Sequence, residues 1–262
     1  ALYDGSFYRE LNLLGYRSAK AVVPLLMELI RPRSVVDVGC GAGAWLSVFR
    51  EHGIEDYLGI DSPWVEESSL TIPRERFLQQ NLELPISLPR EFDLVVCLEV
   101  AEHLSAHTAV SFVRSLTQLG AVVLFSAAIP FQGGVCHVNE QWPEYWASLF
   151  ASFGFVPVDC IRPRIWSNPG VEWWYSQNTL LYVRADALPR LGLMANGEIA
   201  ELRLTMVCQE MYLKILDKYR AALVRGDLEQ LPLRKLLRVL PGALARALRR
   251  LFAGPPSPAR TD

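Results

Sequence analysis

The most constraining feature of this chain is a run of glycines between an apolar segment and a helical one. Residues 34–38 are predicted to form a short buried strand, and Gly39, Gly41 and Gly43 follow it directly. The helical spacing of apolar residues then begins at Ala44. Glycine lets the backbone turn sharply from strand to helix and come close to a ligand without a Cβ in the way. This segment therefore predicts an α/β fold with a ligand-binding turn after its first strand.

Strands and helices alternate along the rest of the first 185 residues. The last two strands are separated by a Pro- and Trp-rich segment, and we expect them to form an antiparallel hairpin at the edge of the sheet. The predicted fold class is α/β, a doubly wound, mostly parallel sheet with an antiparallel last strand. The predicted strands are 34–38, 57–60, 76–80, 92–98, 121–126, 156–158 and 179–183, and the predicted helices are 18–30, 44–52, 105–119 and 142–153.

The character of the sequence changes after residue 185. We expect residues 1–185, with a helical lead-in over 1–30, to form the ligand-binding domain, and residues 186–253 to form a C-terminal helical extension. In that extension an apolar seam predicts one long helix from about residue 198 to residue 223. The Pro-rich tail, 254–262, is predicted to be disordered.

Two features of the extension suggest partners. The apolar seam of the long helix is expected to pack on the domain or on a second copy of the chain, so a homodimer is one interpretation. Residues 231–252 are rich in Leu and Arg, which is typical of an interfacial helix. Peripheral membrane contact through this basic segment is therefore one interpretation, and a packed amphipathic helix with a solvated basic face is the favoured one.

Composition excludes several classes of protein. The net charge is −2, which gives no overall electrostatic attraction to nucleic acid. The five cysteines are scattered without a CxxC pair, so neither a disulfide framework nor a thiolate zinc site is expected. The first ten residues lack the pattern of a secretory signal, and the longest apolar stretch, 120–131, is too short to span a bilayer. These features predict a cytoplasmic protein.

Three polar residues sharpen the interpretation of the glycine turn. The glycine spacing also fits a dinucleotide-binding turn, but Asp37 lies in the motif itself and would repel a pyrophosphate. A carboxylate at that place suits a ligand with a cationic amino-acid end. Asp61 closes the second strand, where it is placed to accept hydrogen bonds from both hydroxyls of a ribose. Asn81 follows the third strand, where it is placed to bind an adenine.

The order and spacing of four motifs resemble those of class I S-adenosylmethionine-dependent methyltransferases. The motifs are VVDVGCGAG, YLGID, QQNLELP and FDLVVCLEVAEHL, and the resemblance covers residues 30–185. It implies a Rossmann-like methyltransferase fold, with S-adenosyl-L-methionine as the cofactor. Families of this type often have Asp where Asn81 stands, although an amide also hydrogen-bonds adenine. The implied cofactor-binding residues are Asp37, Gly39, Gly41, Asp61, Asn81, Leu82 and Glu99.

Candidate catalytic residues follow the fourth and fifth strands, at the edge where open α/β sheets bind ligands. Glu99 and His103 are four residues apart and share a face if the segment makes a helical turn. His137 lies in a Gly-flexed polar loop, where a core histidine is less expected. We therefore predict His137 as the general base for a hydroxyl acceptor, with Glu99 and His103 as further candidates. Three aromatic residues either line an acceptor pocket or, as we favour, pack in the core: Trp142, Tyr145 and Trp146.

The same segments contain carboxylates and imidazoles without a thiolate. Such a set suits a divalent ion such as Mg²⁺, Mn²⁺ or Zn²⁺, and the ExxEH spacing with a later His resembles metal-assisted methyltransferases. In those enzymes the ion lowers the pKa of the acceptor hydroxyl. Adjacent Glu102 and His103 need a turn to point the same way, and the EH pair also occurs in metal-free members of the fold, so a metal is the less favoured alternative. The candidate ligands are Glu99, Glu102, His103 and His137.

The favoured function is O-methylation of a hydroxyl on a sugar, glycan or natural-product acceptor. Transfer to the 2′-hydroxyl of an RNA end, or to nitrogen or carbon, is the alternative within the same class. An NAD-dependent oxidoreductase is disfavoured by the acid in the first motif. A non-catalytic scaffold is disfavoured by the dense polar loop over residues 131–146.

Overall fold

The computed structural model describes residues 5–193 and 204–225, which contain seven strands, eight α-helices and five short 3₁₀ helices. The strands are β1 (Ser34–Val38), β2 (Asp56–Asp61), β3 (Phe77–Gln79), β4 (Leu94–Leu98), β5 (Val122–Ser126), β6 (Phe155–Val158) and β7 (Leu180–Arg184). The helices are α1 (Gly5–Leu29), α2 (Ala44–Glu51), α3 (Ala109–Leu119), α4 (Pro143–Ala151), α5 (Arg162–Ile165), α6 (Trp173–Asn178), α7 (Leu188–Leu191) and α8 (Gln209–Arg225). No helix of these residues is both long and apolar enough to cross a bilayer.

The strands form one sheet in the order β3-β2-β1-β4-β5-β7-β6. The first five strands of this order, β3, β2, β1, β4 and β5, pair in parallel, whereas β7 runs antiparallel to both β5 and β6. The predicted doubly wound, mostly parallel sheet with an antiparallel last strand is confirmed, as is the β6–β7 hairpin. Because the strand order reverses between β1 and β4, a crevice forms at their carboxyl ends, which is where such sheets bind ligands.

Two apolar clusters cover the two faces of the sheet. Alternate residues of β1 point to opposite faces, so Val35 belongs to one cluster while Val36 and Val38 belong to the other. Helices α1 and α2 contribute to the first cluster, and α3 and α4 contribute to the second. Trp146 of α4 is 2% exposed and packs 5.4 Å from the Phe125 ring, which confirms the core interpretation for this residue.

The Pro- and Trp-rich connection between the last two strands contains the short helices α5 and α6. Its anchor is Arg162, whose side chain is fully buried. The guanidinium donates to both carboxylate oxygens of Asp159 (2.9 and 2.6 Å) and to the carbonyls of Gln177 (3.2 Å) and Leu204 (2.6 Å). The bond to Leu204 joins residues 42 positions apart, so no local sequence pattern predicts it.

The predicted long helix over residues 198–223 was wrong over residues 204–208. Helix α8 begins at Gln209, and the described residues before it, 204–208, are not helical. Tertiary hydrogen bonds explain this, because Arg162 binds the carbonyl of Leu204 and the carboxylate of Glu144 accepts from the N–H (3.0 Å) and the hydroxyl (2.6 Å) of Thr205. The first of two compact units extends to Met211, and the domain boundary at residue 185 stays a prediction.

Other predictions for the extension fall outside the described residues. These are the start of the long helix before residue 204, the Leu- and Arg-rich segment 231–252 and the tail 254–262. The second unit begins at Tyr212 within α8. The homodimer and the peripheral membrane contact stay predictions.

Candidate active site

The turn after β1 places all three of its glycines in the left-handed backbone region, Gly43 with φ +90°. Gly39 has φ +81° and Gly41 has φ +55°, conformations that other residues rarely adopt. The N–H of Gly39 donates to the carbonyl of Ile60 (2.7 Å), which ties the turn to β2. A Cβ at Gly39 would lie 2.2 Å from Val100 Cγ2, whereas a Cβ at Gly41 would have nothing within 4 Å. Gly39 therefore packs against the segment that follows β4, and Gly41 borders open space.

Asp61, the last residue of β2, fastens the same turn. Its Oδ2 accepts from the N–H of Gly41 and its Oδ1 from the N–H of Ser62, each at 2.6 Å. Burial raises the pKa of Asp61, and these two hydrogen bonds oppose the rise. A carboxylate oxygen accepts more than one hydrogen bond. The side chain is therefore held in one orientation with capacity for two further hydroxyl donors.

Asp37 is a buried acid in the same cradle. It is 3% exposed, and burial raises its pKa well above the ordinary value, with a further contribution from the negative charge of Asp61. A buried acid is stabilised in its charged form by a nearby cation. The cradle thus fits a ligand that brings a positive charge to Asp37 and hydroxyls to Asp61, which are features of the methionine and ribose parts of S-adenosyl-L-methionine.

Asn81 and Leu82 follow β3 at the same edge of the sheet. Asn81 is exposed, and its Oδ1 accepts from the N–H of Glu83 (3.0 Å) in a local turn. Leu82 is 4% exposed and belongs to the same apolar cluster as Val38 and Val100. The turn therefore uses part of the hydrogen-bonding capacity of Asn81, and its Nδ2 group is the donor that suits an adenine nitrogen.

Glu99 directly follows β4 at the carboxyl edge of the sheet and has φ +55°, a strained conformation for a residue with a side chain. Its N–H donates to the carbonyl of Ser126 (3.0 Å) at the end of β5. Its Oε1 accepts from Asn178 Nδ2 (3.1 Å) and its Oε2 from Gln132 Nε2 (2.9 Å). Burial raises the pKa of Glu99, and the hydrogen bonds from Asn178, Ser126 and Gln132 oppose the rise. Two amides thus fix the carboxylate.

Sequence reasoning missed Asn178, Gln132 and the neighbouring Gln177. The strand directions could have identified two of them, Gln177 and Asn178. Because β7 runs antiparallel, the residues before it lie at the same sheet edge as the residues that follow the parallel strands. Gln177 and Asn178 directly precede the strand predicted at residue 179, so their amides were candidates for this edge.

Glu102 and His103 lie on a single 3₁₀ turn, Ala101–His103. Such a turn is what these adjacent residues need for both side chains to point the same way. Together with His137 they offer three ligand atoms that all lie within 4.8 Å of one another. The rings of His103 and His137 meet edge to face, with centroids 4.8 Å apart. Three of the four candidate metal ligands are therefore brought together. The oxygens of the fourth, Glu99, are engaged by Asn178 and Gln132.

The carboxyl group of Glu102 is fully buried. Its Oε1 accepts from the N–H of Ala128 (3.2 Å), and its Oε2 has no hydrogen-bond partner among the described residues. Burial raises the pKa of Glu102 well above its ordinary value, and the charge of Glu99 adds to the rise. Buried carboxylate oxygens are nearly always partnered. One carboxylate oxygen of Glu102 lies within 4.8 Å of a ring nitrogen of both His103 and His137, and this set of atoms fits a divalent cation.

A carboxylate also orients His137. Its Nδ1 lies 3.0 Å from Glu140 Oε1, and Glu140 accepts from the N–H groups of Phe131 and Gly133, each at 2.8 Å. Burial raises the pKa of Glu140, but the hydrogen bonds from His137 and these N–H groups outweigh it, so the pKa is lowered. An ionised Glu140 favours the His137 tautomer with its proton on Nδ1. Nε2 is then the basic atom.

The environment of His103 predicts a pH dependence of stability. Although His103 is exposed to solvent, partial burial of its ring lowers its pKa from 6.5 to about 4, and His137 adds to the shift. Solvent around the ring reduces the size of the resulting effect on stability. Between these two values the unfolded chain binds more protons than the folded one, so stability falls as the pH falls through this window. We expect the free energy of unfolding in urea to decline less from pH 7 to pH 4 in His103→Gln than in the wild type. Parallel curves for the two proteins would contradict this account of His103.

The sheet with its reversed strand order, the glycine turn held by Asp61 and the buried Asp37 define a class I methyltransferase domain. A family model described as a methyltransferase domain matches residues 10–179, which is more than half of the chain. The chain belongs to this family of S-adenosylmethionine-dependent methyltransferase domains.

Individual relatives agree with this assignment. The chain is 32% identical over 125 residues to the ubiquinone biosynthesis O-methyltransferase of Methylococcus capsulatus, which covers 42% of this chain and 52% of that protein. It is 29% identical over 105 residues to the enzyme of the same name from Stutzerimonas stutzeri, covering 36% and 44%. The chain thus spans about half the length of these relatives. The solved sugar N-methyltransferase KedS8 from Streptoalloteichus has the same fold, with a TM-score of 0.52, 17% identity and coverage of 68% of this chain and 91% of that one.

Proposed function

We propose that this chain transfers the methyl group of S-adenosyl-L-methionine to a hydroxyl group on a sugar, glycan or natural-product acceptor. The observation that carries the proposal is the hydrogen bond between Glu140 and His137, at the edge of the sheet where the cradle lies. A histidine oriented by a carboxylate is suited to remove a proton from an alcohol. The names of the two curated relatives support oxygen over nitrogen or carbon as the accepting atom.

The cradle residues bind and orient the cofactor in this proposal. S-adenosyl-L-methionine supplies an electrophilic methyl group on a positively charged sulfur. Asp37 and the glycine turn hold its amino-acid end, Asp61 holds the ribose, and Asn81 and Leu82 border the adenine. Glu99 lines the crevice next to the turn. Binding in this manner contributes to rate by fixing the reacting atoms in line.

Residues of the loop after β5 remove the proton from the acceptor hydroxyl in this proposal. His137 accepts the hydroxyl proton at Nε2, and the ionised Glu140 stabilises the imidazolium that results. His103 stays neutral at pH 7, because its pKa is about 4, and so adds no positive charge against the protonation of His137. The RNA alternative is weakened by the net charge of −2.

A second mechanism is favoured by one specific observation, the unpartnered Oε2 of Glu102. In this mechanism Glu102, His103 and His137 hold a divalent cation, whose chemistry is to lower the pKa of the acceptor hydroxyl and fix its position. His137 is then a ligand and not a free base. The two mechanisms make opposite predictions for chelation.

For the general-base mechanism we expect full activity after exhaustive chelation and a loss of roughly 10²- to 10⁴-fold in His137→Ala. The exposed His107 lies on a neighbouring turn, so His107→Ala serves as a matched control with normal activity. Activity is measured as transfer of labelled methyl after chelation and after adding back Mg²⁺, Mn²⁺ or Zn²⁺. Loss on chelation with recovery on adding one ion would select the cation mechanism.

The acceptor class is tested with the full chain and S-adenosyl-L-methionine labelled in its methyl group. The acceptors are simple sugars, nucleotide sugars, a phenol, a catechol, an amine and a short RNA. We expect a methyl ether on a small-molecule hydroxyl, identified by mass spectrometry. Methylation confined to the amine or to RNA would contradict the proposal, and RNA retention on filters with a steep salt dependence would point to the second of these.

A further inference from the structure

Three side-chain amides form a continuous chain of hydrogen bonds that leads away from Glu99. Asn178 Nδ2 donates both to Glu99 and to Gln132 Oε1 (2.9 Å). Gln177 Nε2 donates to Asn178 Oδ1 (3.1 Å) and to Gln132 Oε1 (3.4 Å). Gln177 Oε1 accepts from the backbone N–H of Cys208 (2.7 Å). This chain of hydrogen-bonded amides thus connects the crevice to Cys208, a residue beyond the segment 10–179 that the family model matches.

The two ends of this chain determine the orientation of every amide in it. A side-chain amide is an acceptor on one side and a donor on the other, whereas an ionised carboxylate only accepts and a backbone N–H only donates. The N–H of Cys208 requires the oxygen of Gln177, so the NH₂ group of Gln177 faces the oxygens of Asn178 and Gln132. The NH₂ groups of those two residues then face Glu99. The N–H of Ile129 donates to Gln132 Oε1 (3.3 Å) and favours the same orientation.

Because the amides are buried, the loss of any one hydrogen bond in the amide chain is costly. Gln177 is 1% exposed and Asn178 is 4% exposed, and an unpartnered polar group in such surroundings is costly. The N–H of Cys208 fixes the oxygen of the Gln177 amide, and Gln177 Nε2 also donates to Met211 Sδ (3.3 Å) in the same segment. Loss of the Gln177 amide removes the donor to Asn178 Oδ1 and so loosens the side chain whose Nδ2 group binds Glu99.

Residues 204–211 are also held by contacts that do not touch the amide chain. Both the N–H and the hydroxyl of Thr205 donate to the carboxylate of Glu144 on α4. The segment is therefore held by three side chains, Arg162, Glu144 and Gln177, and of these only Gln177 belongs to the amide chain that ends at Glu99. This separation provides a matched control.

We propose that Gln177 is a positioning residue, through which residues 204–211 set the orientation of the Glu99 carboxylate in the cofactor crevice. The inference rests on the role of Glu99 as a cofactor-lining residue under the proposed function. Under this inference residues 204–211, which lie outside the segment matched by the family model, affect cofactor binding through Glu99.

The test compares Gln177→Met and Glu144→Ala in the full chain. Each removes hydrogen bonds that hold residues 204–211, but only Gln177→Met interrupts the amide chain. We expect the melting temperature to fall by a similar amount in both variants. The Kd for S-adenosyl-L-methionine, measured by calorimetry, should rise about tenfold in Gln177→Met and stay within twofold in Glu144→Ala, since a tenfold change is typical of one hydrogen bond to a charged group.

Two further variants make the outcome decisive. Gln177→Glu keeps the acceptor for Cys208 but removes the NH₂ donor, so its Kd should rise as in Gln177→Met. Equal Kd changes in Gln177→Met and Glu144→Ala, or none in the Gln177 variants, would overturn the inference. An unchanged Kd in Glu99→Gln would overturn the role of Glu99 and with it the inference, while cofactor binding by the wild type would leave the proposed methyl transfer intact.

Discussion

Replacing Gly41 by Ala is expected to weaken binding of S-adenosyl-L-methionine by roughly 5- to 150-fold in a folded protein. A Cβ at this position meets no protein atom within 4 Å, so it projects into the space that we assign to the cofactor. Overfilling a packed contact costs roughly 1–3 kcal/mol, which corresponds to this loss of affinity. Calorimetry gives the affinity, and thermal unfolding verifies the fold.

Gly192→Ala is the matched control for this substitution. Gly192 has φ +64° and likewise has nothing within 4 Å of an added Cβ, so the backbone cost resembles that at Gly41. We expect a modest loss of stability in both variants, about 1 kcal/mol, and unchanged cofactor affinity in Gly192→Ala. Wild-type affinity in Gly41→Ala would remove this turn from the cofactor site.

Asp61→Ala is expected to weaken cofactor binding by roughly 1.5–3 kcal/mol, or about 10- to 150-fold, the cost of losing hydrogen bonds to a charged group. The substitution also removes the acceptor for the N–H of Gly41, which loosens the turn. Affinity for S-adenosylhomocysteine is the direct measurement. Near-normal affinity in the folded variant would exclude Asp61 from the site.

Asp56 provides the control for Asp61, because it stands at the other end of the same strand. Its carboxylate accepts two hydrogen bonds from Arg90, at 2.6 and 2.5 Å, in an ion pair that is exposed to solvent. Asp56→Ala removes an acid and an ion pair from β2 without touching the glycine turn. We expect it to leave cofactor affinity within twofold of the wild type.

The cofactor cradle was predictable from sequence because its parts are local. An apolar run, a set of glycines and an acid at the end of the next strand each occupy a few consecutive residues. The parallel sheet then brings the strand ends together at one edge. The positions of Asp37, Gly39 and Asp61 near one another therefore follow from the strand order alone. The same reasoning located Glu102, His103 and His137, which the structure brings within reach of one ion.

The surroundings of these residues were not predictable in the same way. The amides that hold Glu99 come from the loop after β5 and from α6, and their pairing depends on tertiary contacts between residues up to 79 positions apart. Residues 204–208 have a helical apolar pattern, yet side chains of Arg162 and Glu144 bind their backbone in another conformation. Local periodicity carries no information on such long-range polar contacts.

The most direct test of the central claim is a calorimetric titration of the full chain with S-adenosylhomocysteine and, separately, with NAD. Both ligands carry an adenosine, but only the first has a charged amino-acid end for Asp37, and only NAD brings a pyrophosphate to the glycine turn. The account predicts saturable binding of S-adenosylhomocysteine that Gly41→Ala weakens, and no binding of NAD. Binding of NAD by the folded protein, without binding of S-adenosylhomocysteine, would contradict it.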